Sequence, residues 1–275
     1  MQKNIFLYGM SNSISLIEYL IQDKPSINHQ NYGEGNFENI ITFAKKIILN
    51  NEEFNIYYTI LNPKFLELTG GFGYFHEGNN KFVINEPFNE EFKAELQKIK
   101  CNLITIGCLN GNEHNIMALT TNRFPNDFRD PEDQYLDEKR VPIQYEMIKQ
   151  ELRKKSLGTI ELYKHLNTIM LDSKNIIMQP PPPINLDIDY VNIYNEGFRD
   201  DAIKYGVNDI RIRIKVYKIY CSILRELGDL GYKFLEIPES IYIPYGMSKE
   251  YASGVTHGNL KFAEYIIQHN RVENL

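Results

Sequence analysis

The residue best placed to do chemistry is Ser11, which follows a short apolar run and a glycine at the point where a helix is predicted to begin. Residues 5–8 predict a strand, Gly9 a turn, and the apolar residues that recur over 13–21 predict a helix. A strand, a tight turn and a serine at a helix start is how α/β enzymes expose a nucleophilic hydroxyl. Serine is also a preferred helix N-cap, so an ordinary capping role is the alternative.

Three further turns carry groups that could complete a site around this nucleophile. His257 precedes the last predicted helix, Asn112 follows a buried strand, and Gly35 lies in a glycine-rich turn before another predicted helix. These turns offer an imidazole, a carboxamide and glycine amides, each a different chemical part beside the Ser11 hydroxyl. Taken alone, His257 could equally be a surface or capping histidine, and Asn112 a turn residue.

The elements that must position these residues follow from the alternation of strand-like and helix-like segments along the chain. Such alternation predicts an α/β fold with a mostly parallel sheet covered by helices on both faces. The predicted strands lie at residues 5–8, 26–30, 54–61, 81–85, 102–107, 175–179 and 234–237. The predicted helices lie at residues 13–21, 37–49, 89–99, 143–154, 159–171, 208–227 and 260–268.

Ligands of such sheets bind beyond the carboxyl ends of the strands. Four predicted turns meet at that edge, at residues 9–13, 33–36, 107–115 and 253–259. They bring a hydroxyl, glycine amides, a carboxamide and an imidazole to the same edge. We therefore expect Ser11, Gly35, Asn112 and His257 to form one site.

The chain is predicted to fold as a single domain of residues 1–275, because a chain of this length can bury one sizeable core and shows no linker or repeat. A small β-rich insertion is predicted at about residues 54–90, where Gly70, Gly71 and Gly73 punctuate short strand-like runs. The prolines at 180–183 are interpreted as a rigid loop leaving a strand, since proline cannot donate to a sheet ladder.

Composition narrows the classes of partner. The net charge is −6 and no run of Lys or Arg occurs, which argues against nucleic acid and against an anionic membrane as the main partner. No apolar stretch is long enough for a membrane span, and we expect no signal peptide. Three cysteines without metal-type spacing are predicted to be reduced and mostly buried, which favours the cytoplasm. We expect no metal and no cofactor; homo-oligomerisation is left open.

Four short blocks, in this order, resemble those of the SGNH/GDSL hydrolase superfamily. They are YGMS at 8–11, YGEGN at 32–36, GNEH at 111–114 and THGN at 256–259. Together they span nearly the whole chain, and they look like a bacterial branch of uncertain substrate. The resemblance implies a flavodoxin-like three-layer α/β/α sandwich. It also implies a serine esterase or O-acyltransferase that acts on a small or carbohydrate ester.

By this resemblance Ser11 would be the nucleophile and His257 the general base. The backbone N–H groups of Ser11 and Gly35 and the side-chain amide of Asn112 would bind the oxyanion, with Gly71 as a second choice for the glycine donor. His114 is interpreted as a structural residue.

The chain departs from the family pattern at two positions. Gly254 stands three residues before His257, where the superfamily usually has an aspartate, and Met10 replaces an acidic residue before Ser11. Glycine has no side chain to orient an imidazole. A backbone carbonyl could do so and give a Ser–His dyad, a carboxylate could come from elsewhere, or activity could be weak or lost. The alternative function is therefore an inactive SGNH-fold binding or assembly module.

Overall fold

The computed structural model describes residues 3–25, 40–49, 51–61, 73–76, 81–109, 120–193, 199–241 and 246–271. Its strands are β1 (Lys3–Gly9), β2 (Thr42–Leu49), β3 (Glu52–Ile60), β4 (Gly73–His76), β5 (Lys81–Ile84), β6 (Leu103–Cys108), β7 (Asn126–Asp127), β8 (Val141–Pro142), β9 (Lys174–Met178), β10 (Lys233–Leu235), β11 (Ala252–Ser253) and β12 (His257–Gly258). Its α-helices are α1 (Ile14–Ile21), α2 (Glu86–Ile99), α3 (Tyr145–Ile169), α4 (Ile188–Ile193), α5 (Arg199–Tyr205), α6 (Ile210–Arg225) and α7 (Leu260–Asn270).

Six strands form the central sheet in the order β10-β9-β6-β1-β3-β2. All neighbours are parallel except β2, which runs antiparallel to β3 at one edge. Because parallel strands need crossover connections, the chain returns through helices between them. The predicted α/β fold with a mostly parallel sheet is confirmed.

Strand β1 lies near the middle of the sheet and is buried on both faces. Ile5 and Leu7 pack into one hydrophobic cluster with α1 and α7, whereas Phe6 and Tyr8 pack into a second cluster with α2, α3 and α6. Successive side chains of a strand point to opposite faces, so the two clusters lie on opposite sides of the sheet. Helices therefore cover both faces, as an all-apolar parallel strand requires.

The helix predicted at 37–49 is wrong over its described part, because Thr42–Leu49 forms strand β2. Leu49 pairs with Glu52, which leaves only two residues between the strands, and Asn51 has the positive φ of 64° that tight hairpin turns need. The apolar spacing here fits a helix, but Ile48 is 74% exposed at the sheet edge. The sequence signal for the hairpin is the Asn-Asn pair at 50–51, because asparagine tolerates the left-handed backbone of a tight turn.

The predicted insertion at 54–90 begins too early. Strand β3 lies beside β1 in the central sheet, so residues 54–60 belong to the core of the fold. The β4–β5 hairpin forms a separate two-stranded sheet within the remaining part of this range. Residues 54–60 are mostly buried, as expected of a strand inside a sheet. The glycines that follow indicate turns only after this strand and do not make it part of an insertion.

The helices predicted at 143–154 and 159–171 form the single helix α3, which is longer than α6 although the sequence pointed to 208–227 as the longest helix. Gly158 lies inside α3 without breaking it, since one glycine costs a helix only about 1 kcal/mol and the buried apolar face continues past it. Gly228, directly after the predicted helix 208–227, would be a plausible C-cap, but it does not cap α6. It lies in the 3₁₀ turn Glu226–Leu230, and Gly231, with φ of 87°, follows that turn.

The other predicted elements that fall on described residues occur within a few residues of their expected bounds. The extended piece predicted at 26–30 lies outside the described residues. In the part of the chain that the structure describes, no helix is both long and apolar enough to cross a membrane.

Candidate active site

Ser11 lies directly beyond the carboxyl end of β1, at the start of a 3₁₀ turn, Ser11–Ser13, that leads into α1. The turn is held by two hydrogen bonds to backbone carbonyl oxygens, since Met10 N–H donates to Cys108 O at 2.9 Å and the side-chain Oγ of Ser13 donates to Met10 O at 2.6 Å. The N-cap of the 3₁₀ turn is Met10 and that of α1 is Ser13. Ser11 therefore occupies neither capping position, and its side chain is exposed.

Gly9 permits the close approach between β1 and the end of β6 that sets this turn. A Cβ atom built at this position would lie 2.4 Å from Cys108 O, a backbone atom. The strands cannot separate locally without disturbing the sheet, so only a residue without a side chain fits here.

Replacing Gly9 with alanine is expected to destabilise the protein by about 1–3 kcal/mol, the usual cost of overpacking a rigid core site. The backbone shift that relieves the contact would also move Ser11, so labelling of this serine by an acylating probe should slow. Urea denaturation measures the first effect. Gly228→Ala is a matched control, because its added Cβ would lie an ordinary 3.7 Å from Phe234.

His257 is the first residue of β12, in a small hairpin that pairs it with Ser253 of β11. Gly254, in the turn between these strands, has φ of 75°, which glycine adopts at low cost. After the hairpin, Asn259 caps α7 by accepting a hydrogen bond from Phe262 N–H, and it contacts the 3₁₀ turn before β11 by donating to Glu250 O at 2.7 Å. The imidazole is thus carried on a backbone fixed at both ends.

The structure brings Ser11 and His257 together across 246 residues of sequence. His257 Nε2 lies 2.8 Å from Ser11 Oγ, and His257 Nδ1 lies 2.8 Å from Thr256 Oγ1. Both distances are those of a hydrogen bond, and the first is what a serine nucleophile needs from its base. The arrangement can move a proton from a serine hydroxyl to an imidazole.

The contacts of Gly254 and Thr256 show which group faces Nδ1 of His257. The carbonyl of Gly254 accepts a hydrogen bond from Tyr190 Oη at 3.0 Å, so it is engaged with α4. At Nδ1 of His257 the structure shows a hydroxyl, that of Thr256, where the sequence left open a backbone carbonyl or a distant carboxylate. Thr256 was missed by the sequence interpretation. Its only signal was a hydroxyl-bearing residue directly beside the candidate base.

The remaining predicted site residues, Gly35 and Asn112, lie outside the described residues, as do Gly71 and His114. Ser11 itself is described. Its amide opens a helical turn, and the first amides of a helix have no acceptor within that helix. This leaves its N–H suited to the oxyanion role that the sequence assigned to it, and the roles of Gly35 and Asn112 stay predictions.

Two further reactive side chains that the structure describes, Cys108 and His165, are less suited to chemistry than Ser11 and His257. Cys108, whose backbone contacts the Ser11 turn, is buried, and burial raises the pKa of its thiol, which disfavours the thiolate. His165 contacts Asn89 at 2.8 Å, and burial, with a further contribution from Lys93, lowers its pKa. Within the described ranges, no group of three or more His, Cys, Asp or Glu side chains is placed to hold a metal ion. The three cysteines are free thiols.

No family model matches this chain, and no curated protein matches it. The chemistry of the site is therefore argued from its own geometry.

Proposed function

We propose that the protein is a serine-dependent esterase or O-acyltransferase of the SGNH/GDSL type, acting on a small or carbohydrate ester. The observation that carries the proposal is the 2.8 Å contact between Ser11 Oγ and His257 Nε2 at the carboxyl edge of the sheet. Ser11 is exposed, so an ester carbonyl can reach it. A buried serine–histidine pair would have suited a structural role better.

The reaction follows from these positions. His257 Nε2 removes the proton of Ser11 Oγ as this oxygen attacks the ester carbonyl, and the oxyanion forms beside the Ser11 amide. His257 then protonates the departing alkoxide, which leaves an acyl group on Ser11. Water or an acceptor hydroxyl, activated by the same imidazole, takes the acyl group and restores the serine. Hydrolysis and transfer differ only in this acceptor.

The strand order supports the flavodoxin-like fold that the resemblance implies. Numbered along the chain, the five parallel strands β1, β3, β6, β9 and β10 lie in the order 2-1-3-4-5, which is the flavodoxin order. In such sheets the ligand crevice opens at the switch point, between the first and third parallel strands. Met10 spans these strands through its hydrogen bond to Cys108 O, so Ser11 lies at the switch point. Free cysteines support a cytoplasmic setting.

A second candidate, a binding or assembly module with the same fold, is favoured by one observation. The group described at His257 Nδ1 is a neutral hydroxyl, whereas serine hydrolases with a triad place a carboxylate there. A site of this kind could bind an ester or a glycan and turn it over slowly or not at all.

Labelling with a fluorophosphonate, which reacts only with an activated serine, distinguishes these functions. We expect the wild type to be labelled at Ser11, as located by peptide mapping, and Ser11→Ala to remain unlabelled. Ser253→Ala is a matched control, because Ser253 is exposed in the neighbouring hairpin and should not affect labelling when replaced. An unlabelled wild type, or equal labelling of Ser11→Ala, would contradict the esterase proposal.

A further inference from the structure

We propose that Thr256 is a positioning residue for His257, and that its hydroxyl does the orienting work at Nδ1 in this protein. The inference rests on the proposed function. It adds that the imidazole is held in its reactive form by the residue next to it in the chain. The observation behind it is the 2.8 Å contact between Thr256 Oγ1 and His257 Nδ1, on the ring nitrogen opposite the one that faces Ser11.

The role of His257 Nε2 as a base determines which tautomer of the imidazole is required. A neutral imidazole has one donor nitrogen and one acceptor nitrogen. To accept the proton of Ser11 Oγ, Nε2 must be the acceptor, so Nδ1 must carry the hydrogen. That N–H then points at Thr256 Oγ1, which can accept it because a hydroxyl oxygen has two lone pairs. The threonine thereby supplies an acceptor for the Nδ1 hydrogen of the one tautomer in which His257 can act as a base towards Ser11.

The hydroxyl is itself well fixed, which an orienting group must be. Thr256 is 7% exposed, and its β-branched side chain has restricted rotation about χ1. Val255, directly before it, is 1% exposed and belongs to the core cluster that includes α1 and α7. On the other side of the turn, Gly254 O is bound by Tyr190 Oη at 3.0 Å. The turn from 254 to 256 is therefore anchored to the core and to α4.

A neutral hydroxyl does part of what a carboxylate does. It holds the ring orientation and can accept the Nδ1 hydrogen, but it cannot stabilise the imidazolium with a full negative charge. Removing it should therefore cost much less than the factor of about 10⁴ seen when the carboxylate of a serine protease triad is neutralised. The loss of one neutral hydrogen bond corresponds to roughly tenfold in rate.

The test compares Thr256→Val, which keeps the shape and removes the hydroxyl, with Thr256→Ser, which keeps the hydroxyl, and with the hairpin control Ser253→Ala. We expect Thr256→Val to react with the fluorophosphonate about tenfold more slowly than the wild type. Thr256→Ser should stay within about threefold of it, and Ser253→Ala should match it. Equal labelling rates for Thr256→Val and the wild type would overturn the proposal.

A second readout does not depend on activity. Long-range proton–nitrogen NMR of the imidazole rings reports which nitrogen carries the hydrogen, and the His257 signal is the one, among six histidines, that disappears in His257→Gln. We expect the Nδ1–H tautomer in the wild type and in Thr256→Ser, and a shift towards Nε2–H in Thr256→Val. An Nε2–H tautomer in the wild type would overturn the proposal even if Thr256→Val failed to fold.

The two proposals fail in different ways. If the wild type does not label at Ser11 but shows the Nδ1–H tautomer that Thr256→Val loses, the esterase proposal fails and the positioning role stands. If the wild type labels, and Thr256→Val labels equally fast with an unchanged tautomer, only the role of Thr256 fails. Thermal unfolding of each variant confirms that the compared proteins are folded.

Discussion

Replacing His257 with alanine is expected to lower kcat/KM for a short acyl ester by about 10²–10⁴-fold, the usual contribution of a positioned general base, with the fold intact. The imidazole is the group that contacts Ser11 Oγ, at 2.8 Å, and a serine hydroxyl without a base is a poor nucleophile at neutral pH. The side chain is partly exposed, and its backbone is held by the β11–β12 pairing, so stability should change little. Release of p-nitrophenol from p-nitrophenyl acetate measures the rate.

His269→Ala is the matched control for this variant. His269 is an exposed histidine on α7, the helix that follows the site, and its loss should leave kcat/KM unchanged. Added imidazole should restore part of the activity of His257→Ala, because a small base can enter the space that the side chain left. An activity within tenfold of the wild type in His257→Ala would show that this histidine is not the base.

The parallel topology accounts for one half of the Ser11–His257 pair, because Ser11 directly follows β1 at the carboxyl edge of the sheet. His257 lies in the separate β11–β12 hairpin, so the rule for parallel strands does not fix its position, which rested on the resemblance of its block to that of the family. The identity of the group at Nδ1 was not predictable in the same way. It depends on a χ1 angle of Thr256 and on the turn conformation at Gly254, with φ of 75°, neither of which leaves a periodic signal.

Two failures in the fold have a common physical origin. At 42–49 and across Gly158, the local pattern predicts one structure and tertiary packing produces another. In the first case an edge strand tolerates exposed isoleucine, so its pattern resembles one face of a helix. In the second, the long buried face of α3 compensates for a glycine that favours an interruption. Propensity is a weak guide wherever packing decides the outcome.

The buried ion pair of Lys215 and Asp127 should have a large effect on stability. Lys215 of α6 contacts Asp127 at 2.6 Å, with side chains that are 4% and 2% exposed. Lys215 Nζ also donates to the carbonyl oxygens of Phe128 and Tyr135 and lies 4.7 Å from the centre of the Phe128 ring. Lysine and aspartate are almost never buried unless paired, so each is held there by the other.

This pair anchors the segment of residues 120–142, which follows in sequence the stretch that carries Asn112. Asp127 also accepts hydrogen bonds from the backbone N–H groups of Phe128, at 2.7 Å, and Asp137, at 2.9 Å. The Asp127 carboxylate thus binds two backbone N–H groups of the loop, and its contact with Lys215 joins the loop to α6.

Replacing Lys215 with methionine is expected to lower the free energy of unfolding by about 3–5 kcal/mol, because it leaves the Asp127 carboxylate buried without its counter-ion. Urea denaturation at neutral pH measures the loss. The double variant Lys215→Met/Asp127→Leu should recover part of it, since no unpaired charge then remains. Lys218 lies on the same helix as Lys215 and makes an exposed contact with Glu132. Lys218→Met, which removes that contact, should cost less than about 1 kcal/mol. A loss for Lys215→Met as small as that for Lys218→Met would show that the buried pair does not anchor the loop.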